Sequence, residues 1–267
     1  MKKTIIMLCG AAFLYYNANA QVSAAIAGKK LQVVISDKMT TTVTSMGTDI
    51  EILSSNDQYV TYEIKSVAGK NIQLSETFDR AKGSMTVMGN EIPYDSDDSA
   101  SIASATASFP QLTALFKDLH KTQDLAVVTG KTPDMTDIEK LSGLSAFAYA
   151  LFNPFDKSAT EGSKFSDSTK NDNGSKSVTD YVVSKISSGE ITVTATTNST
   201  INTTSQEAGM EVKINREVKN ISTRIYDAST GLLKAGTTDS NINGTTTLAT
   251  GQEIPVSTKG TTTVTVQ

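Results

Sequence analysis

The chain is poor in the side chains that most often carry out catalysis or bind metal ions. It has one cysteine, Cys9, one histidine, His120, and no tryptophan among its 267 residues. A Ser-His-Asp triad would need His120 as its base, and no serine lies in a G-x-S-x-G motif. One histidine also excludes the histidine-rich metal motifs. Catalysis would therefore depend on carboxylates, and a binding or structural role gains weight.

The first residues have the three parts of a secretory signal peptide. Lys2 and Lys3 give a charged start, residues 5–16 form an apolar run, and Ala18 and Ala20 supply small residues for cleavage. The run is well short of the roughly 20 residues that span a bilayer. The pattern predicts a signal peptide over residues 1–20, cleaved after Ala20.

Export has a direct consequence for thiol chemistry. Cleavage after Ala20 removes Cys9, so the mature chain has no disulfide in a compartment where disulfides persist. Acylation of Cys9 as a lipoprotein is the alternative, but Leu8 is bulkier than the small residue that such sites have before the cysteine. We expect a protein of the periplasm or of the cell surface, held together by its core alone.

The composition is that of a folded protein without a nucleic-acid partner. Hydrophobic residues make up 38% of the chain and charged residues 19%, and the net charge is −4. No basic cluster offers a surface for phosphates or anionic lipids. No glycine-rich loop follows a strand, so no nucleotide cofactor is expected. We expect no cofactor, no nucleic acid and no transmembrane segment in the mature chain.

Hydrophobic periodicity divides the mature chain into three blocks of one domain. Residues 21–98 alternate with period two, as in half-buried antiparallel strands, and Gly69 marks the turn of a hairpin over residues 58–78. Residues 99–160 have helical periodicity, and residues 161–267 return to strands rich in threonine. The apolar parity changes between Val218 and Ile221, which predicts a β-bulge near Lys219.

The middle block predicts two helices. Ser108 is the expected N-cap of a helix that ends near Lys121, which places His120 at a helix C-terminus where a cation is favourable. A second helical pattern begins near Thr132 and ends before Pro154. Residues 125–128, between the helices, are apolar enough for a short strand.

Two acidic loops are candidate calcium sites. One holds Asp95, Asp97 and Asp98, and the other runs from Asp167 to Asp172. Carboxylate oxygens are the ligands that Ca²⁺ prefers, although neither loop has the glycine and final glutamate of the twelve-residue calcium loop. Solvated acidic turns are the alternative interpretation, and we assign no metal ligand and no catalytic residue.

An aromatic cluster lies where the helical block ends. Its members are Phe147, Tyr149, Phe152 and Phe155. One interpretation is a lid that lines an apolar ligand groove under a curved sheet. The other is ordinary packing of these rings against the sheet.

Three segments resemble a known family. They are KGSMTVMGNEIPYDSDD over residues 82–98, GSKFSDS over residues 162–168, and IYDASTGLL over residues 225–233. The chain resembles an uncharacterised family of exported, β-rich proteins of Gram-negative bacteria, a domain of unknown function. No family activity comes with the resemblance, and Phe165 stands near the place where a tryptophan is expected after the Gly-Ser pair.

The strand–helix–strand order also resembles the periplasmic lipoprotein carriers, in which a half-open barrel holds lipid under a helical lid. We therefore expect a β-dominated α+β fold: a curved antiparallel sheet or half-open barrel, with helices from the central block packed on one side. Both chain ends should meet in this sheet. The expected function is that of a non-enzymatic envelope protein that binds an apolar ligand or an envelope protein. A structural or adhesion-type surface protein is the alternative, and a carboxylate- or calcium-dependent enzyme is the lesser one.

Overall fold

The computed structural model describes residues 22–109, 112–131, 147–207 and 210–267. The predicted signal peptide and most of the second predicted helix lie outside the described residues. Among the described residues, no helix is long and apolar enough to cross a membrane.

One antiparallel sheet of 11 strands dominates the molecule and does not close on itself. Its spatial order is β4-β3-β2-β1-β11-β10-β9-β8-β7-β6, and β5 also pairs with β3. The strands are β1 Lys30–Ser45, β2 Thr48–Ala68, β3 Asn71–Val87, β4 Asn90–Asp95, β5 Thr122–Val128, β6 Lys164–Lys170, β7 Lys176–Ser187, β8 Glu190–Glu207, β9 Met210–Asp227, β10 Leu233–Leu248 and β11 Glu253–Val266.

The first and last strands pair at the centre of the sheet, which confirms the predicted meeting of the chain ends. Val33 on β1 lies opposite Val266 on β11 and opposite Val60 on β2. All other neighbours in the order are sequential hairpins. The predicted turn at Gly69 is also confirmed, with a φ of 63° that favours glycine.

The two faces of the sheet are defined by register, because directly opposed residues point to the same side. We call the side of Leu31, Val33 and Ile35 the inner face, since these β1 side chains are buried. The register carries this face through all the strands. Strand β9 shows the alternation clearly. Its even-numbered residues from Val212 to Arg224 point inward and are buried or half-buried. Its odd-numbered residues from Lys213 to Thr223 point outward and are exposed.

The helical segments that the structure describes cover one part of the inner face, which we call the proximal half. They are α1 Ser99–Ser108, α2 Leu112–Lys117 and the 3-10 turns Ala24–Ile26 and Ala148–Leu151. Tyr94 on β4 contacts Phe116 on α2 edge-to-face, with ring centroids 5.7 Å apart. The largest fully buried side chains of this core are Tyr62, Tyr226, Phe152, Ile26, Ile64, Ile72, Leu74 and Leu151.

The predicted helix from Ser108 to Lys121 is wrong in its bounds. Ser108 ends α1 instead of beginning a helix, and α2 is a separate short helix. The reason is Asp98, whose carboxylate accepts a hydrogen bond from the Ala100 amide at 2.9 Å and so caps α1. The short strand predicted over residues 125–128 is confirmed as part of β5.

The predicted bulge near Lys219 is also wrong. The pairing of β9 with β8 and β10 is continuous from Val218 through Ile221. Ile221 instead points to the outer face, where 46% of the residue is exposed. A β-branched side chain suits an exposed strand position, so parity alone does not report a bulge here.

Candidate functional site

A row of polar side chains crosses the inner face where the helical cover ends. We call it the polar belt: Asp37, Asn56, Tyr94, Ser222, Thr238 and Thr262, which lie in register with one another. The hydroxyls of Ser222 and Thr238 are 2.9 Å apart, and Thr262 donates to the Asp37 carboxylate at 2.5 Å. Burial raises the pKa of Asp37 above its ordinary value. The belt therefore satisfies itself internally and separates two apolar regions.

Beyond the belt, apolar side chains return to the inner face among hydroxyl residues such as Thr41, Thr258 and Ser199. We call this region the distal apolar patch: Val43, Ile50, Ile52, Val87, Ile201, Ile214, Val218, Ile242, Ile254 and Val256. Every one of these residues is half-buried. Among the described residues, none of them belongs to the buried core. The patch is thus apolar surface that the described helical segments leave uncovered.

The outer side of the same strands has a different composition. Around Ile214 and Val218 on β9, the outward residues are polar: Lys213, Asn215, Glu217 and Lys219. Alternation of this kind is the pattern of a sheet with one side turned away from water. The inner side of the distal half is therefore built as an apolar face. Val212 at its far end is buried, with 2% exposed, whereas the distal apolar patch has no described helical segment over it.

One charged side chain lies inside the distal apolar patch. Arg216 on β9 sits between Ile214 and Val218 on the inner face, and its register partners are Ile201 and Gly244. Burial lowers the pKa of Arg216, because removing the guanidinium from water disfavours its charged form. Its hydrogen bonds go to neutral groups on β9 and β10.

A second arginine lies on the same face in the proximal half. Arg224 hydrogen-bonds to the hydroxyls of Tyr181 and Tyr226. Tyr226 in turn donates to the carbonyl oxygen of Ala150 at 3.1 Å, and Tyr181 stacks on Phe165 with centroids 5.6 Å apart. Arg224 is therefore enclosed by aromatic side chains, unlike Arg216.

Three glycines mark places where neighbouring strands approach closely. A Cβ at Gly83 would overlap the Ser55 carbonyl oxygen, and one at Gly244 would overlap the Asn215 carbonyl oxygen. At Gly260 it would overlap the side chain of Met39. Glycine within a strand is typical of such close approaches and of bends in a curved sheet.

The predicted aromatic residues lie in the proximal half. Phe152 and Phe155 are buried, with 1% and 6% exposed, and Phe152 forms a bridge with Leu232. Phe147 and Tyr149 pack half-buried against the same core, and the Tyr149 hydroxyl donates to the Ala126 carbonyl oxygen at 3.3 Å. The structure brings all four to one region, and their contact with a ligand stays a prediction.

The first acidic loop uses its carboxylates for internal contacts. Asp95 accepts two hydrogen bonds from Arg80, at 3.1 and 2.5 Å, which lower the pKa of its carboxyl group. Asp97 forms an ion pair with Arg80 at 2.9 Å, and Asp98 caps α1. Each carboxylate thus has a partner in the fold.

The remaining candidate residues are separated. Asp167 lies within β6, and Asp172 lies in the turn between β6 and β7. His120 follows α2 with a φ of 60°, and its amide donates to the Phe78 carbonyl oxygen at 2.7 Å. Within the part of the chain that the structure describes, no three His, Cys, Asp or Glu side chains are grouped to hold a metal ion.

The outer face of the distal half carries shallow depressions. One, of about 780 Å³, crosses β3, β2, β1, β11 and β10 and includes Lys38 and Lys259. Another, of about 530 Å³, crosses β7 to β10 and includes Lys176 and Lys219. They share Asn241, so they adjoin, and their other lining residues are mostly Ser, Thr and Asn.

The distal apolar patch is the feature that the sequence interpretation missed. Its signal is present: Ile214 and Val218 fall at even positions of β9, and Ile254 and Val256 at even positions of β11. The isolated residues become a patch only when the register places them side by side.

Comparisons with known proteins give a fold and no family. No family model matches the chain, and no curated protein matches it. A solved structure of lipovitellin is similar with a TM-score of 0.52 and 11% identity over 90% of this chain. The chain spans 25% of that lipovitellin chain. An outer membrane channel from Pseudomonas putida F1 aligns with 90% of this chain and 96% of its own, at 7% identity and a TM-score of 0.29. The chain therefore shares a large sheet fold with one part of the lipovitellin chain.

Proposed function

We propose that the protein is an exported, non-enzymatic envelope protein that binds the apolar part of a lipid-like ligand on its distal apolar patch. The sequence support for export is the charged, apolar and small-residue pattern of residues 1–20. The support for binding is on the inner face, and it does not depend on the aromatic residues of the helical block.

The observation that carries the proposal is the second apolar region beyond the polar belt. Val218 and Ile242 are adjacent in one register row, and Ile52 lies in the same row beyond Thr258 and Thr41, whose hydroxyls are 2.9 Å apart. The three apolar residues are half-buried without a described helical segment over them. Removing apolar surface from water is favourable by about 25 cal/mol per Å². An apolar ligand on this face gains that free energy, as the helical segments do in the proximal half.

The similarity to lipovitellin supports lipids as the first ligands to test. The lipovitellin structure is described in terms of its lipid–protein interactions. At 11% identity only the fold is shared, and the inner face of this chain supplies the apolar surface for a ligand.

Two measurements test the proposal. Native mass spectrometry of protein purified from the organism that produces it should show an added mass that organic extraction removes. Titration with a fluorescent long-chain probe should then give saturable binding to the extracted protein.

A matched pair of variants locates the site. Ile242→Asp places a charge in the distal apolar patch and should weaken probe binding at least about tenfold, since a buried unpaired charge is costly. Ile221→Asp makes the same change on the exposed outer face and should bind like the wild type. Equal binding by both variants would refute the proposed site.

A surface adhesion role is the second candidate, and one observation favours it. The outer depressions place Lys38, Lys259, Lys176 and Lys219 among hydroxyl and amide side chains in a chain of net charge −4. Under this role, the double variant Lys38→Glu/Lys259→Glu should reduce the attachment of cells that carry the protein to a surface. Ile242→Asp should leave this attachment unchanged. Unchanged attachment in the double lysine variant would refute the adhesion role.

A further inference from the structure

Arg216 has unused hydrogen-bonding capacity inside an apolar surface. A guanidinium has five N–H donors. Nη1 donates to the carbonyl oxygens of Asn215 at 2.9 Å and Thr245 at 2.5 Å, and Nη2 donates to Thr246 Oγ1 at 2.7 Å. Within the described residues, the Nε–H and the second Nη2–H therefore have no acceptor.

Arg216 also has no counter-ion among the described side chains. Its three acceptors are two carbonyl oxygens and one hydroxyl, all uncharged. The charged residues next to it on β9, Lys213, Glu217 and Lys219, are exposed on the outer face. Arg216 is half-buried, and a cation partly removed from water without an anion is unfavourable, so the site is suited to an anion from outside the chain.

The register holds the guanidinium at the surface of the patch. Gly244 lies directly opposite Arg216 on β10 and has no side chain, so the arginine extends across β10 to Thr245 and Thr246. Ile214 and Val218 flank it along β9, and Ile201 lies opposite on β8. A cation is thus held in place within apolar surface on several sides.

The other inner-face arginine does not meet these conditions. Arg224 hydrogen-bonds to the hydroxyls of Tyr181 and Tyr226. It lies opposite Val193 on β8, which is fully buried in the proximal half. Arg224 therefore completes the core, and Arg216 alone combines unused donors with uncovered apolar neighbours among the inner-face arginines that the structure describes.

We propose that Arg216 binds the carboxylate of a long-chain fatty acid whose acyl chain lies on the distal apolar patch. The two unused N–H groups of the guanidinium are donors for a carboxylate, and such charge-assisted hydrogen bonds are about twice as strong as neutral ones. The surrounding Val and Ile side chains suit a hydrocarbon chain. This inference rests on the proposed function and adds the chemical class of the ligand.

The test compares two probes that differ only in the head group. Palmitate and hexadecanol, each presented to the lipid-extracted full-length protein, share the same chain, and only palmitate carries the anion. Wild-type protein should bind palmitate at least about tenfold tighter than hexadecanol, the ratio that corresponds to 1.4 kcal/mol. Acetate supplies the carboxylate without the chain and should not compete with palmitate at an equal concentration.

Variants assign the preference to Arg216. Arg216→Met keeps much of the apolar stem, so palmitate affinity should fall to the level of hexadecanol while hexadecanol affinity stays the same. Arg216→Lys restores a cation and should recover part of the preference. Lys219→Met removes an exposed cation from the outer face of the same strand and should behave like wild type.

The outcomes separate the two proposals. Wild-type protein that binds both probes equally overturns the role of Arg216 and leaves the apolar site intact. Wild-type protein that binds neither probe overturns the proposed function itself. A palmitate preference that Arg216→Met retains and Lys219→Met loses would assign the carboxylate to the outer face and refute the inference.

Discussion

The proximal and distal halves of the inner face are made from the same strands but have different surroundings. In the proximal half, Ile64 and Leu74 have at most 1% of their surface exposed. In the distal half, Ile52 and Ile242 occupy equivalent inward positions and stay half-buried. Strand alternation chooses which side is apolar, and a covering layer is needed to bury it. Exposed apolar surface of this kind often marks lipid or partner sites, which is the basis of the function we propose.

The polar belt explains why the two halves do not merge into one core. Asp37 and Asn56 sit side by side in the register, and Tyr94 donates to Asn56 at 3.0 Å. Buried polar groups are tolerated when they are hydrogen-bonded to each other. The belt therefore ends the proximal core with a row of polar side chains. The distal apolar patch lies beyond this row as a separate region.

The largest difference between the halves should appear on truncation of buried side chains. Phe152→Ala in the proximal core should lower the free energy of unfolding by about 3–5 kcal/mol, because a large cavity remains. Ile242→Ala in the distal apolar patch should cost about 1 kcal/mol or less, because its surroundings are already open. Urea unfolding of both variants measures this difference. Similar losses would mean that the two halves are equally covered.

The close approach of strands in the distal half predicts the next effect. Gly244→Ala should destabilise the protein by about 1–3 kcal/mol, because the new Cβ overlaps the Asn215 carbonyl oxygen and β9 or β10 must move. Gly236→Ala on the same strand is the control: the nearest atom to its Cβ is 3.6 Å away, so stability should change by less than about 1 kcal/mol. Thermal unfolding compares them, and equal midpoints would contradict the close approach.

A carboxylate at the proximal end of the sheet should make the free energy of unfolding depend on pH in acid. Asp227 accepts hydrogen bonds from Ser229 and Thr230, which lower the pKa of its carboxyl group from 3.8 to about 2. A lowered pKa contributes stability above pH 3.8 that is lost as the pH falls through about 2. After allowance for solvent screening, wild type should lose about 1–2 kcal/mol more than Asp227→Asn across this range.

The control for this acid transition is at the distal turn. Glu253→Gln replaces an exposed acid at the start of β11 and should follow the wild-type curve. Guanidinium unfolding at a series of pH values gives both curves. If Asp227→Asn loses stability in parallel with wild type, the turn contributes nothing to acid sensitivity.

The last expected effect concerns the contact between the helical block and the sheet. Tyr226→Phe removes the hydrogen bond to the Ala150 carbonyl oxygen and one acceptor of the Arg224 guanidinium, and should cost about 1–2 kcal/mol. Tyr59→Phe on the outer face should be nearly neutral, since the Tyr59 ring is the part that contacts Arg80 and Lys82. Hydrogen exchange of the Ala148–Leu151 turn provides a local readout, and unchanged protection in Tyr226→Phe would show that this bond does not hold the turn.

Much of the fold was predictable because short-range patterns decide it. Alternation and turn residues located the hairpin at Gly69, and the strand content of both outer blocks predicted a β-dominated sheet joined by the chain ends. The helix bounds failed because Asp98 was interpreted as a loop acid, whereas its contact with the Ala100 amide makes it a cap. The bulge at Lys219 failed because Ile221 is exposed, and periodicity does not distinguish an exposed isoleucine from a change of register.

The sequence by itself determined the class of fold and which side of each strand is apolar. It also determined the scarcity of thiol and imidazole groups. These properties follow from composition and from neighbours along the chain. Tertiary structure decided which apolar residues became core and which became surface. Ile242 and Ile64 have the same side chain in the same kind of strand position, and only the packing of distant helical segments separates them. The placement of Arg216 among Ile201, Ile214 and Val218 likewise depends on register across strands. Long-range contacts of this kind are fixed by the packing of the whole sheet, which no local pattern records.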